Sequence, residues 1–400
     1  MKTKIIAASL FAFTAAAVGL YPAYQTRGAV EPPPEAIPAQ VLTSQQPLIE
    51  VVFVLDTTGS MAGLIQAAKE KIWSIASTMS AAQTAPVIRM GLVAYRDRGD
   101  DYVTRVVDLS EDLDSVYATL MDFQAGGGGD GPESVNQALF DAVHGVSWSR
   151  DPDAYKVIFL VGDSPPHMDY QDDVKYPATM EAAKARGIVV NAIQCGNHGG
   201  TAPRWKHIAQ LGDGHFFRVD QAGGAVAIAT PFDERLARLS AEIDRTRLYY
   251  GSDEKRAEKQ RKLDASDKLH AAATPASRAR RATFNASPSG AKNLIGDSEL
   301  VDDVASGRVE LEAIDRDQLP EPLQTMAPEE QKAVIAETAQ RRQALQKEIR
   351  DLARQRADYL EEKVEEAGGA EESLDSRIYG AVREQAGKKG LRYGEDALAY

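Results

Sequence analysis

The sequence has a single cysteine, Cys195, among its 400 residues. No disulfide can form within the chain, and no lipid-accepting cysteine follows the apolar N-terminal stretch. Positive charge is also scarce. Lys and Arg total 46 against 59 Asp and Glu, a net charge of -13, so the overall field repels nucleic acid and anionic membrane surfaces. Nucleic acid is therefore not an expected partner. The glycine run in AGGGGDGPESVNQAL is not followed by Lys-Ser or Lys-Thr, which removes a phosphate-binding P-loop. Asp169, Asp172 and Asp173 lack the ligand spacing and the glycine of an EF-hand, and a solvated turn is expected there. No internal repeat stands out. With 43% hydrophobic and 26% charged residues, the chain has enough apolar surface for one full-sized domain and a smaller part.

Met1 to Lys4 is a short positive segment, followed by IIAASLFAFTAAAVGLYPAY. This pattern reads as an export signal over 1–29, cleaved near Ala23 or Ala29, with an uncleaved N-terminal membrane anchor as the alternative. The location expected is the periplasm or cell envelope. Residues 30–47, with EPPPEAIPAQ, read as a proline-rich linker. Over 48–250, apolar runs alternate with amphipathic stretches, the pattern of a mostly parallel, doubly wound α/β sheet covered by helices. Strands are expected at IEVVFVL, VIRMGLVAY, YVTRVVDL, KVIFLVG, GIVVNAIQ and HFFRV. Leu64, Ile65, Ala68, Ile72 and Ile75 mark the apolar face of the first helix.

Residues 251–327 are charged, locally basic and poor in large apolar side chains, and read as a charged connector and a weakly structured region. The helical C-terminal region, 328–400, opens at Pro328 with Glu329 and Glu330 in the first turn and a stop at Gly368-Gly369. Leu345, Ile349, Leu352, Tyr359 and Leu360 form one seam on this helix. Packing within the chain and a coiled-coil dimer are both readings of that seam.

The chemistry gathers at strand ends. VVFVLDTTGSM ends a strand in Asp56 and turns into a helix, so that Asp56, Thr58 and Ser60 converge on one point. As isolated residues they would read as a helix cap. KVIFLVGDSPPH places a second carboxylate, Asp163, where another strand stops. In open parallel sheets, ligands bind at such carboxyl ends. Oxygen-only donors suit a hard divalent ion, and Mg2+ would hold them at roughly 2.0–2.1 Å, with Mn2+ or Ca2+ as alternatives.

DTTGS, the glycine-rich loop and GDSPPH together resemble the von Willebrand factor A domain and its metal-ion-dependent adhesion site, in the subgroup with hemicentin and the alpha-kinase-linked A domains. The resemblance covers about 48–248. It implies Asp56, Thr58, Ser60 and Asp163 as metal ligands. Where the family keeps a threonine, this sequence has Asp130, with Glu133 and Ser134 as alternatives. An added carboxylate would neutralise the ion and weaken its grip on an acidic partner group. The resemblance further implies a non-enzymatic adhesion or assembly protein whose metal binds an exposed Asp or Glu of a protein partner. Two other readings are a hydrolase, with His167 or Asp130 as base, and a part of a ring-ATPase machine, against which the export signal counts. His167 itself reads first as a surface loop residue. Cys195 reads as buried, Trp73, Trp148 and Trp205 as packing anchors, and Arg98-Gly99-Asp100 as a charged loop.

Overall fold

The computed structural model describes residues 46–63, 65–129, 131–219, 228–366 and 374–394. The expected signal and nearly all of the proline-rich linker lie outside them. Six strands, β1 (Leu48–Asp56), β2 (Val87–Tyr95), β3 (Thr104–Ser110), β4 (Tyr155–Gly162), β5 (Ile188–Cys195) and β6 (Phe216–Val219), form one sheet in the order β3-β2-β1-β4-β5-β6. All neighbours are parallel except β2 and β3. The link from Tyr95 to Thr104 is too short for a crossover, so β3 must turn back.

Both faces of the sheet are covered, which is why the central strands read as unbroken apolar runs. On one face, Ile49, Val51, Phe53 and Leu55 of β1 pack with α1 (Ile65–Ser80) and α2 (Leu113–Asp122). On the other, Val52 and Val54 meet α3 (Val135–His144), α4 (Tyr176–Ala185) and α5 (Thr201–Leu211). Trp73 and Trp205 are buried, one in each layer, while Trp148 is partly buried and donates to the Ala142 carbonyl at 2.8 Å. After α6 (Asp233–Asp244) the chain leaves the sheet.

Residues 251–327 are not a weakly structured connector. They fold into α7 (Asp253–Ala272), α8 (Pro275–Asn285), α9 (Ala291–Ile295), α10 (Leu300–Ala305) and α11 (Glu321–Gln324). The cap on α8 is readable in the sequence, since the Thr274 side chain accepts from Ser277 N at 3.2 Å and Pro275 sits in the first turn. The apolar signal is weak because α7 buries little beyond Leu269 and Ser266 and the stems of Lys259 and Lys262. Leu269, Ala273 and Phe284 nevertheless enter the same core as β1.

The long helix α12 runs Pro328–Glu366. Its Leu345 and Ile349 pack on Leu236, Leu239 and Ile243 of α6 and on Ala279 and Ala282 of α8. Tyr359 meets Phe232 edge-on, with ring centroids 6.2 Å apart. This seam is therefore filled from within the chain rather than left for a dimer partner. The last helix, α13 (Leu374–Gly387), returns to the sheet, where Ile378, Ala381, Val382 and Ala386 join the core. Gln385 there bonds Asn191 of β5 at 2.9 and 3.1 Å and Tyr155 of β4 at 2.7 Å. Among the described residues no helix is long and apolar enough to cross a membrane.

A buried ionic knot joins the sheet domain to the added helices. Arg281 of α8, fully buried, pairs with Asp114 of α2 through Nε at 2.7 Å and with Asp244 at the end of α6 at 2.9 Å. Ser266 Oγ and Asn293 Nδ2 also donate to Asp114, at 3.2 and 3.3 Å. Farther along, Arg342 of α12 grips Glu299 with both terminal nitrogens at 2.9 Å, and Arg356 holds Asp233 at 2.7 Å.

Candidate functional site

The strand order reverses between β1 and β4, because the chain places β2 on one side of β1 and β4 on the other. Asp56 ends β1 and Asp163 follows the last residue of β4, so both stand at the switch point where open sheets bind ligands. The approach is close. A Cβ on Gly162 would lie 2.6 Å from Asp56 Cβ and 2.6 Å from Tyr95 Oη, so only glycine fits at the end of β4.

Four of the five expected ligands come together. Thr58 closes a turn on Asp56, giving its N–H (2.9 Å) and its hydroxyl (2.6 Å) to Asp56 Oδ1. Thr58 Oγ1 and Ser60 Oγ are 3.1 Å apart, and Ser60 Oγ donates to Asp163 Oδ1 at 3.0 Å. A chain of four oxygens thus links two strand ends, its last step joining Ser60 to Asp163 across 103 residues of sequence. The fifth expected ligand, Asp130, lies outside the described residues.

Of the two alternatives to Asp130, Ser134 turns its hydroxyl to Asp97 at 2.9 Å, whereas Glu133 lines the cleft. That cleft, of about 380 Å3, is bounded by Thr58, Ser60, Gly128, Glu133, Asp163 and His198, among others. Glu133 is pinned by its backbone: its N–H donates to the Pro165 carbonyl at 2.9 Å, and its carbonyl accepts from His167 N–H at 3.0 Å. The loop after β4, which carries Asp163, is thereby tied to the segment carrying Glu133, and both side chains line the cleft.

Two carboxylates here have oxygens that nothing satisfies. Asp56 Oδ2 and Glu133 Oε2 are buried without a hydrogen-bond partner. Burial pushes the Asp56 carboxyl up to about 7, with Asp163 adding to the rise and the Thr58 bonds opposing it. Glu133 is pushed up to about 9 by burial, then by the charges of Asp56, Asp97, Asp100 and Asp163. Its strongest charged neighbours are all carboxylates. A buried oxygen without a donor is costly, and a cation supplies what is missing. The donor set of carboxylates and hydroxyls is the kind a hard divalent ion takes.

From the sequence alone, none of the supporting residues is given a role in the site. Gly127 and Gly128 have positive φ (77° and 79°), and Asp100 Oδ2 caps their turn by accepting from Gly128 N–H at 2.9 Å. The Arg98-Gly99-Asp100 stretch thus has a structural use, and only the paired glycines hinted that an acceptor was needed. Thr57 N–H and hydroxyl both donate to the Tyr95 carbonyl at 2.9 Å, and Gly126 N–H returns to the Thr57 carbonyl at 3.0 Å. Thr201 and Trp205 hold the carbonyls of Asp163 and Ser164 at 2.8 and 3.0 Å.

His167 is buried rather than a surface loop residue. It stacks on Tyr170 with centroids 4.0 Å apart, meets Asp169 through Nδ1 at 2.8 Å, and does not line the cleft. Asp173, expected in a solvated turn, is buried and pairs with Arg98, which also reaches Asp172 at 2.9 Å. Cys195 is buried in the cleft wall, and burial pushes its thiol up to about 12, far from a reactive thiolate.

Residues 50–230 match the family model described as the von Willebrand factor A domain. A search of curated proteins found no match. Among solved structures, a von Willebrand factor type A protein from Catenulispora acidiphila is 19% identical, with 44% of this chain and 39% of that chain covered at a TM-score of 0.32. Proximal thread matrix protein 1 from the mussel byssus is 15% identical, with 44% of this chain and 42% of that one covered at a TM-score of 0.34. This chain thus spans less than half the length of either. By the family match, residues 50–230 of this chain form a von Willebrand factor A domain.

Proposed function

We propose that the protein is a non-enzymatic binding protein whose A domain grips a protein partner through a divalent cation, with Mg2+ the best fit. Asp56, Thr58, Ser60 and Asp163 would hold the ion at the carboxyl edge of the sheet. The partner would add an oxygen ligand from the open side. The observation that carries this reading is Asp56 Oδ2, a fully buried oxygen without a donor beside three further oxygens already aligned by hydrogen bonds. When bound, the ion supplies positive charge that these oxygens lack and a coordination position for a partner.

Of the two candidate bases, Asp130 lies outside the described residues, and binding is favoured over hydrolysis because His167 lies outside the cleft and is engaged with Asp169 and Tyr170. The positive n-region and apolar stretch at the N-terminus support an exported protein acting in the cell envelope. The test is a pull-down from envelope extract with the full chain and its Asp56→Ala variant, in Mg2+ and in chelator. The expected result is a partner retained only by the wild type in Mg2+. Equal retention in all four conditions would remove the metal from the mechanism.

A further inference from the structure

The geometry points to Glu133 as a ligand of the cation, standing where the family pattern has a neutral threonine, and to a partner that offers a neutral oxygen rather than a carboxylate. This rests on the metal-dependent reading above and sharpens its partner chemistry. Three observations support it. A side chain starting at Gly128 would meet Glu133 Oε1 at 3.2 Å and Thr58 Cβ at 3.5 Å, so Glu133 and Thr58 flank the same glycine in the cleft wall. Glu133 Oε2 is buried without a partner, so the carboxylate is committed to the cleft and unsatisfied there. Its backbone is bonded to Pro165 and His167 on the loop that follows Asp163, which fixes the distance between the two acidic groups.

The charge count then sets the ligand. Coordination to a cation displaces the proton of a carboxyl ligand, so with the ion bound Asp56, Glu133 and Asp163 place three negative charges around a doubly charged ion. A threonine in place of Glu133 would leave the site neutral. An incoming carboxylate would meet a net negative centre with two more carboxylates close behind, Asp97 bonded to Ser134 next to Glu133 and Asp100 bonded to Gly128 N–H in the cleft wall. An amide carbonyl or a hydroxyl meets no such repulsion.

The test uses Mn2+ with the full chain, followed by water-proton relaxation, in wild type, Asp56→Ala, Glu133→Gln and Glu133→Thr. Both Glu133 variants should bind Mn2+ at least about tenfold more weakly, since loss of even an indirect partner costs metal sites that much. Each removes one of several crowded carboxylates, so each should melt no lower than wild type in chelator. Acetate is the second probe: it should leave the bound-water signal of the wild type unchanged and lower that of Glu133→Thr.

The outcomes separate the two claims. Unchanged Mn2+ binding in Asp56→Ala sinks the metal reading itself. Loss in Asp56→Ala with wild-type affinity in both Glu133 variants overturns only the assignment of Glu133, as does a loss seen only with a lowered melting temperature in chelator. Acetate displacing water equally from wild type and Glu133→Thr overturns the partner chemistry.

Discussion

Asp56, Thr58, Ser60 and Asp163 were legible as a set because each stands at or just after the end of an apolar run, and the structure brings their side chains within hydrogen-bonding reach. Glu133 was harder to read. Three polar residues stood near the position of one threonine, and it takes the Ser134 bond to Asp97 and the place of Glu133 in the cleft lining to separate Glu133 from Ser134. Gly162 illustrates a constraint that no motif announces, a strand end pressed against Asp56 and Tyr95. Gly162→Ala should therefore cost about 1–3 kcal/mol, the usual penalty of overpacking, and should shift Asp56 enough to weaken Mg2+ binding. Denaturant melts and a metal titration of that variant would check both effects. Wild-type values in both would mean that the site relaxes freely.

Among the elements, the six strands and the helices of the sheet domain follow the expected order, because the central strands are unbroken apolar runs and the helices bury one face with a period near 3.6 residues. Helices α7 and α8 escaped because, beside Leu269 and Phe284, their buried surface is made of small or polar residues and lysine and arginine side chains, and α9 to α11 are too short to show a period. The seam of α12 was visible, but its partner was not, since Leu236, Leu239 and Ile243 lie about a hundred residues earlier in the chain. Ile349 is fully buried in that seam. Ile349→Ala should destabilise the protein by about 2–5 kcal/mol, read from a denaturant melt. A loss below about 1 kcal/mol would mean that α12 contributes little to the fold.

For the whole molecule, the added helices and the A domain share a core and the Arg281 knot, so the two parts should melt together. Burial by itself would raise the Asp114 carboxyl, but the adjacent Arg281 guanidinium overrides it and holds the group well below the usual carboxylate range. Asp244 is lowered in the same way. A carboxylate depressed in the folded state contributes stability that is present above its unfolded value near 4 and is lost as the pH falls towards its folded value. Stability should thus fall steeply below about pH 4, and less steeply in an Asp114→Asn variant that starts out weaker. Removing the cation alone, as in Arg281→Met, should cost about 3–5 kcal/mol by stranding two buried carboxylates. Calorimetric scans across acidic pH would show either the steep fall or a profile that Asp114 does not influence. The central claim, that the strand ends hold a divalent ion, is tested most directly by calorimetric titration of the full chain with MgCl2, wild type against Asp56→Ala. The account predicts saturable one-site binding in the wild type and none in the variant. Absence of binding in the wild type, or equal binding in both, would contradict it.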